Sequence, residues 1–219
     1  MAAGGRITLL TSVFFRCSEG VPAVDAAGPL MNLALGAAFW ALARGRPPAS
    51  ASRTFFVLAM AFNLFWGAGY FVFSSVTNRG DWAFVLRAFA LEPRWIWRLL
   101  LGVLGVVLYV RFIREVASCA PPGVPFALAW LSAGTISCLA ALCYAGPTFP
   151  ALREAAQESF GAAIGLLFLE RGRRSARSPA EAAAAPAVIG TAWLIVCAVI
   201  IVLFVLLFGR GVVVPSGFL

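Results

Sequence analysis

Residues 24–46 read VDAAGPLMNLALGAAFWALARGR, and this stretch decides how the rest of the chain is understood. It opens on an acid, Asp25, and sets Gly28-Pro29 where a helix is expected to begin. It then carries an amide, Asn32, inside an otherwise apolar run that ends at Arg44 and Arg46. An apolar run of this length flanked by charge is the pattern of a helix crossing a bilayer, which takes roughly 20 residues at 1.5 Å of rise each. A polar side chain in such a run is kept for a reason, because hydrocarbon offers it no partner.

The surrounding chain is of the same kind. Of 219 residues 62% are apolar, and the mean hydropathy is +0.92, more than a water-soluble domain of this size can hide in one core. Five windows are long or apolar enough to cross: 27–43, 54–76, 95–113, 125–145 and 186–208. The last carries no charge in VIGTAWLIVCAVIIVLFVLLF. A sixth, 159–169, is short and contains glycine, and is open to three readings: spanning, re-entrant or interfacial.

The net charge of +8 comes from arginine alone, with no lysine and no histidine. A nucleic-acid partner is not indicated, because the arginines sit between apolar spans where they serve topology and lipid headgroup contact. Arg44, Arg46 and Arg53 share one connection, Arg111 and Arg114 another, and Arg171, Arg173, Arg174 and Arg177 a third. If all six windows cross, these clusters share one side, and the excess of arginine makes that side cytoplasmic. The loop NRGDW, 78–82, and the C-terminus then lie opposite, although Arg79, Arg87, Arg94 and Arg98 weaken the contrast. The five cysteines, Cys17, Cys119, Cys138, Cys143 and Cys197, form no CxxC pair and have no histidine beside them, so they read as small packing residues.

At the start of the chain, GGRITLLTSVFF is rich in Thr, Val, Ile and Phe and reads as an arm of a β-hairpin. An open strand edge cannot face lipid, so this hairpin is expected at the membrane surface. A cleaved secretory signal fits less well, since Arg16, Cys17, Ser18 and Glu19 interrupt the way to any cleavage site. The run RGRRSARSPAEAAAAPA, 171–187, reads as a flexible loop on the cytoplasmic side.

Within the spans, small and polar residues recur at helical spacing. Gly28, Asn32, Gly36 and Trp40 share one face of the first helix; Asn63, Gly67, Tyr70 and Ser74 share one of the second; Arg98, Gly102, Gly105 and Tyr109 share one of the third. Such faces let membrane helices approach closely, so Gly28, Gly36, Asn63 and Gly67 are expected to make helix contacts. Asp81, after Gly80 at the end of the second span, is a carboxylate in the middle of the chain close to a membrane boundary, where an acid must pair, bind a cation or do chemistry.

At these residues the chain resembles the site-2 protease family of intramembrane zinc metallopeptidases, and more closely their small bacterial relatives. AAGGRITLL, 2–10, looks like the turn and first hairpin strand that follow that family's catalytic helix. AAGPLMNLALG, 26–36, looks like its Gly-Pro-x-x-Asn helix, and NLFWGAGYFVFSSVTNRGDW, 63–82, like its later helix and acidic loop. The resemblance covers about half the chain. It implies that Asn32 orients substrate or the developing oxyanion and that Asp81 is the third zinc ligand, with Gly-Asp here in place of the usual Asp-Gly.

The departure is the lack of any histidine. A peptidase zinc needs three protein ligands and an open position for water, and the family's His-Glu-x-x-His helix also supplies the general base. Either that helix lies upstream of Met1 in a longer, zinc-binding protein, or the chain is a pseudo-protease that keeps the scaffold. As written it is expected to hold no cofactor and to be inactive. A rhomboid-like serine peptidase would lack its base, and an aspartyl protease would have only Asp25 with Asp81 as a pair in this half of the chain. A small transport or assembly protein is the non-enzymatic rival.

The expectation is therefore an all-α polytopic membrane protein of about five to six transmembrane helices with a short N-terminal β-hairpin at the membrane surface. Residues 1–25 form the hairpin segment, 26–113 a protease-like core of three spans, 114–169 further membrane helices, 170–187 the flexible loop and 188–219 the last transmembrane helix. Its setting would be the bacterial cytoplasmic membrane, with membrane lipid and a membrane-embedded protein substrate as partners.

Overall fold

A computed structural model of the chain describes residues 7–11, 15–17, 21–48, 50–176 and 191–213. Helices dominate it. They are α1 (Pro22–Arg44), α2 (Ala51–Thr77), α3 (Asp81–Ala88), α4 (Arg94–Cys119), α5 (Phe126–Leu142), α6 (Thr148–Ala156), α7 (Gly165–Ala176) and α8 (Thr191–Phe208), with a π-helical turn over Gln157–Ala162 between α6 and α7. Three strands, β1 (Ile7–Leu10), β2 (Phe15–Cys17) and β3 (Val212–Val213), make one small antiparallel sheet in the order β2-β1-β3. Among the described residues, α1, α2 and α4 are long and apolar enough to cross a membrane, and α5 and the segment Cys197–Phe208 are shorter apolar helices.

The chain divides into two compact units. One comprises Val21–Trp130 and Ala162–Ala184, the other Met1–Gly20, Leu131–Gly161 and Ala185–Leu219. The first unit is built around α2, which packs against both α1 and α4. Glycines set the spacing, because hydrocarbon gives helices no hydrophobic drive to associate and close packing must do so. A Cβ at Gly36 would lie 2.5 Å from the Leu64 side chain, one at Gly67 2.7 Å from Leu33, and one at Gly105 2.8 Å from Phe71. The core of this unit includes Val57, Met60, Phe65, Val116, Phe126 and Leu166, all buried. Phe65 stacks on Tyr109 with ring centroids 5.0 Å apart.

Helix ends follow local chemistry. Ser50 caps α2 by accepting from the Arg53 backbone N–H at 3.2 Å. At the far end Asn78 takes the left-handed conformation, φ 55°, and stops the helix. Gly80, at φ +78°, then turns the chain into α3. Arg98 ties this end to α4: its Nε and Nη2 donate to the Ser75 carbonyl at 3.0 and 2.7 Å and Nη2 also donates to Val76 O, while Ser75 Oγ donates back to Arg98 O.

Several expectations need correction. α1 begins at Pro22, which takes the first helical position behind an extended Val21, so Pro29 sits inside the helix rather than in its first turn. The helix accommodates it, as membrane helices do when neighbours satisfy the freed backbone. α7 extends to Ala176, so the first part of the expected flexible loop is helical, and the rest of that loop lies outside the described residues. In the segment 159–169, whose three readings the sequence left open, Ala162 and Gly165 pack against Gly69, Phe65 and Tyr109, well inside the length of α2 and α4. Among the described residues, the Asn63 amide donates to Ala59 O of its own helix at 2.8 Å.

In the second unit the expected hairpin is present. β1 pairs with β2 through Ile7↔Cys17, Leu9↔Arg16 and Leu10↔Phe15, with a bulge between Ile7 and Leu9. Its other edge is covered by β3, through Leu9↔Val213 and Leu10↔Val212, a pairing that joins the two ends of the chain and that the sequence did not announce. A small cluster of Ala141, Ala151 and Ala155, flanked by Cys138 and Tyr144, packs α5 against α6.

Candidate functional site

The two motifs singled out in the sequence meet. A Cβ built on Gly28 would lie 3.5 Å from Asp81 Oδ2, so the Asp81 carboxylate rests against the bare backbone of α1. Asp25 and Asn32 lie three residues before and four after Gly28, on the same helix face. The arrangement places Asp25, Asn32 and Asp81 along one seam where α1 meets the start of α3.

The electrostatics follow from that placement. Burial pushes the Asp81 carboxyl up to about 6, and the nearby charge of Asp25 adds to the rise. The pair that the sequence offered as its sole carboxylate partnership in this region is thus brought together. Asp81 opens α3, where the helix N-terminus favours a negative charge, but it makes no capping bond there. The Asn32 side chain is half-buried and, among the described residues, has no hydrogen-bond partner. Two further polar atoms beside Asp81 are buried and unpaired among the described residues, Ser74 Oγ and Trp82 Nε1. Trp82 is held by stacking on Phe71, centroids 4.7 Å apart. Composition and spacing did not single out Trp82 as more than part of a loop motif; its place directly after Asp81 was the available signal.

Gly80 accounts for the Gly-Asp order of this loop. Its φ of +78° is a conformation that residues with a side chain rarely adopt, and a Cβ there would lie 3.2 Å from both Ser74 Oγ and the Phe73 ring. The glycine must therefore precede the carboxylate for the turn to deliver Asp81 onto α1.

Among the described residues no three His, Cys, Asp or Glu side chains gather closely enough to hold a metal ion. The carboxylates Asp25 and Asp81 would contribute to a zinc site only as part of a larger ligand set, and the chain has no imidazole to add. A transport reading gains nothing from Arg98, whose guanidinium is spent on the carbonyls that end α2.

Away from this seam, Gly36 lies against Leu64 of α2, and Gly67 against Leu33 and Pro29 O of α1. No family model, curated protein or solved structure matches the chain.

Proposed function

We propose that this chain is an integral protein of the bacterial cytoplasmic membrane that presents a site-2-type protease scaffold and does not by itself hydrolyse peptide bonds. The observation that carries the reading is the contact between Asp81 and Gly28, which joins the acidic loop to the Gly-Pro-x-x-Asn helix. On this reading Asp81 is one ligand of a metal centre whose imidazoles and general base come from a polypeptide segment outside these 219 residues. Asn32, one turn along the same face, orients the peptide of a membrane-embedded substrate.

The same reading takes α5, and α8, as further crossings. At 17 and 18 residues they reach roughly 26 Å at 1.5 Å each, close to the hydrocarbon thickness of about 30 Å. The position of Ala162 and Gly165 beside Tyr109 supports a sixth crossing through the π-helical turn and α7.

The test compares two samples: the 219-residue chain in detergent, and the native protein purified from its own membrane. For each, intact mass, zinc content and cleavage of a single-span reporter are measured. We expect neither zinc nor cleavage for the chain alone, and both for native material that contains a His-Glu-x-x-His segment, with loss of both in Asp81→Ala. Stoichiometric zinc and cleavage by the 219-residue chain would overturn the reading. Native material lacking both would leave a non-catalytic scaffold and remove the protease from it.

A further inference from the structure

The end of the first unit opposite Asp81 is basic. Arg44 closes α1, Arg46 follows it, Arg53 opens α2, and Arg111 and Arg114 lie in the last turns of α4, with Glu115 beside them. Arg53 is spent on the backbone, its Nε donating to Cys119 O and its Nη1 to Arg46 O, each at 3.1 Å.

Arg44 and Arg111 are held differently. Glu115 draws both, with Arg44 Nη2 3.8 Å from Oε1 and Arg111 Nη2 3.5 Å from Oε2. Its Oε1 already accepts the Trp40 indole N–H at 2.7 Å. At ion-pair distances this long, neither guanidinium makes a hydrogen bond to the protein among the described residues, and their N–H donors stay unspent. Arg44 is further fixed 4.3 Å over the Trp40 ring. The two side chains are 60% and 70% exposed, against 22% for Glu115. A half-buried carboxylate and an indole therefore aim two planar cations outward without using them up.

An apolar strip leads to this place. Val103, Val107 and Val110 are exposed on α4 at spacings of four and three residues, and the same face continues to Arg111 and Arg114. Exposed valines on a helix long enough to cross a bilayer face acyl chains, and arginines with a tryptophan at its end face headgroups.

We propose that Arg44 and Arg111, positioned by Glu115 and Trp40, form a seat for the phosphate of an anionic phospholipid whose acyl chains run along Val103, Val107 and Val110. Arginine suits the task because its planar fork matches two phosphate oxygens at once. The apolar strip selects a lipid over a soluble phosphate. The seat is independent of the chemistry at Asp81 and stands or falls separately.

The test reconstitutes the full chain in phosphatidylcholine nanodiscs containing a minority of phosphatidylglycerol, extracts it gently and counts retained lipid by native mass spectrometry. The wild type is expected to keep phosphatidylglycerol in preference to phosphatidylcholine, and the Arg44→Gln/Arg111→Gln double variant to lose about tenfold of that preference. Arg79→Gln/Arg87→Gln removes the same charge at the other end and is expected to lose none. Glu115→Gln separates a built seat from a diffuse basic field. Removing a negative charge strengthens a field, so retention would rise, whereas loss of the positioning carboxylate weakens a seat, so retention is expected to fall. Should the glutamine pair fail to fold, Arg44→Lys/Arg111→Lys keeps the charge without the fork and is expected to lose the preference too. Equal loss in the Arg79/Arg87 control, a rise in Glu115→Gln, full retention by the lysine pair, or displacement of the lipid by millimolar inorganic phosphate would each overturn the assignment.

Discussion

Asp81 sits where a carboxylate is hard to ionise, packed on the α1 backbone with Asp25 nearby. Its pKa of about 6 in the fold lies above the ordinary value near 3.8, so the folded chain holds the proton more tightly than the unfolded one. The associated stability is complete below about pH 4 and is lost as pH rises through about 6. For a half-buried group, solvent screening limits that loss to about 1–2 kcal/mol. The detergent-solubilised chain is therefore expected to melt at a higher temperature near pH 4.5 than near pH 7.5. Asp81→Asn should flatten the difference, and an unchanged pH slope in that variant would contradict the assignment to Asp81. Glycines of α1 and α2 should separate just as sharply. Gly28→Ala places a Cβ at ordinary contact distance from Asp81 and should change stability by less than about 0.5 kcal/mol. Gly36→Ala and Gly67→Ala drive a Cβ to 2.5 Å from Leu64 and 2.7 Å from Leu33, and each should cost about 1–3 kcal/mol in thermal or denaturant unfolding.

Elements are joined by a few polar ties whose ends are far apart in the chain. Arg98 gathers the last carbonyls of α2, so Arg98→Ala should cost about 1–3 kcal/mol by leaving Ser75 O and Val76 O without their charged donor. Arg98→Lys should recover only part of this, because one ammonium cannot reproduce the fork; full recovery in a melting experiment would show the tie to be charge alone. Tyr109 does similar work for α7, donating to Ala162 O at 2.6 Å and accepting from Gly165 N at 2.8 Å. The glycine faces and the hairpin were legible in the sequence because spacing by four, and local richness in β-branched and aromatic residues, are local properties. The meeting of Gly28 with Asp81 was not legible, since the two lie 53 residues apart and no local pattern says which helix the loop after α2 will touch. Partners such as Ser75 for Arg98 and Trp40 for Glu115 were not legible, since periodicity says which face a residue takes and nothing of what opposes it. The start of α1 was misread for a physical reason: Gly28-Pro29 is a strong breaker in water, while Pro22 already serves as a helix start and the membrane-type helix carries Pro29 inside. β3 escaped notice because a two-residue Val-Val strand at the far end of the chain has no pattern of its own.

At the scale of the molecule, the first unit has chemically distinct ends. One carries Arg44, Arg46, Arg53, Arg111 and Arg114 with Glu115 among them; the other carries Arg79, Arg87, Arg94 and Arg98 with Asp25, Asp81 and Glu92 to offset them. The ties between Arg53 and Cys119, and between Arg98 and Ser75, fix which helix ends go together: α1, α2 and α4 alternate in direction, and the two ends are separated by the length of a 26-residue helix. If these helices cross a bilayer, the excess of arginine assigns the first end to the cytoplasm and the seam at Asp81 to the opposite face. Single cysteines in a background with the native five replaced test this directly. Arg79→Cys and Arg94→Cys should react with a membrane-impermeant maleimide added outside intact cells, while Arg46→Cys and Arg114→Cys should react only after the membrane is opened. All four sites are exposed in the fold, so protection reports the bilayer rather than burial. The reverse pattern would invert the orientation and leave the crossings intact. Labelling of Arg46→Cys and Arg79→Cys from the same side would show that α2 does not cross, and the membrane-spanning core would then have to be abandoned.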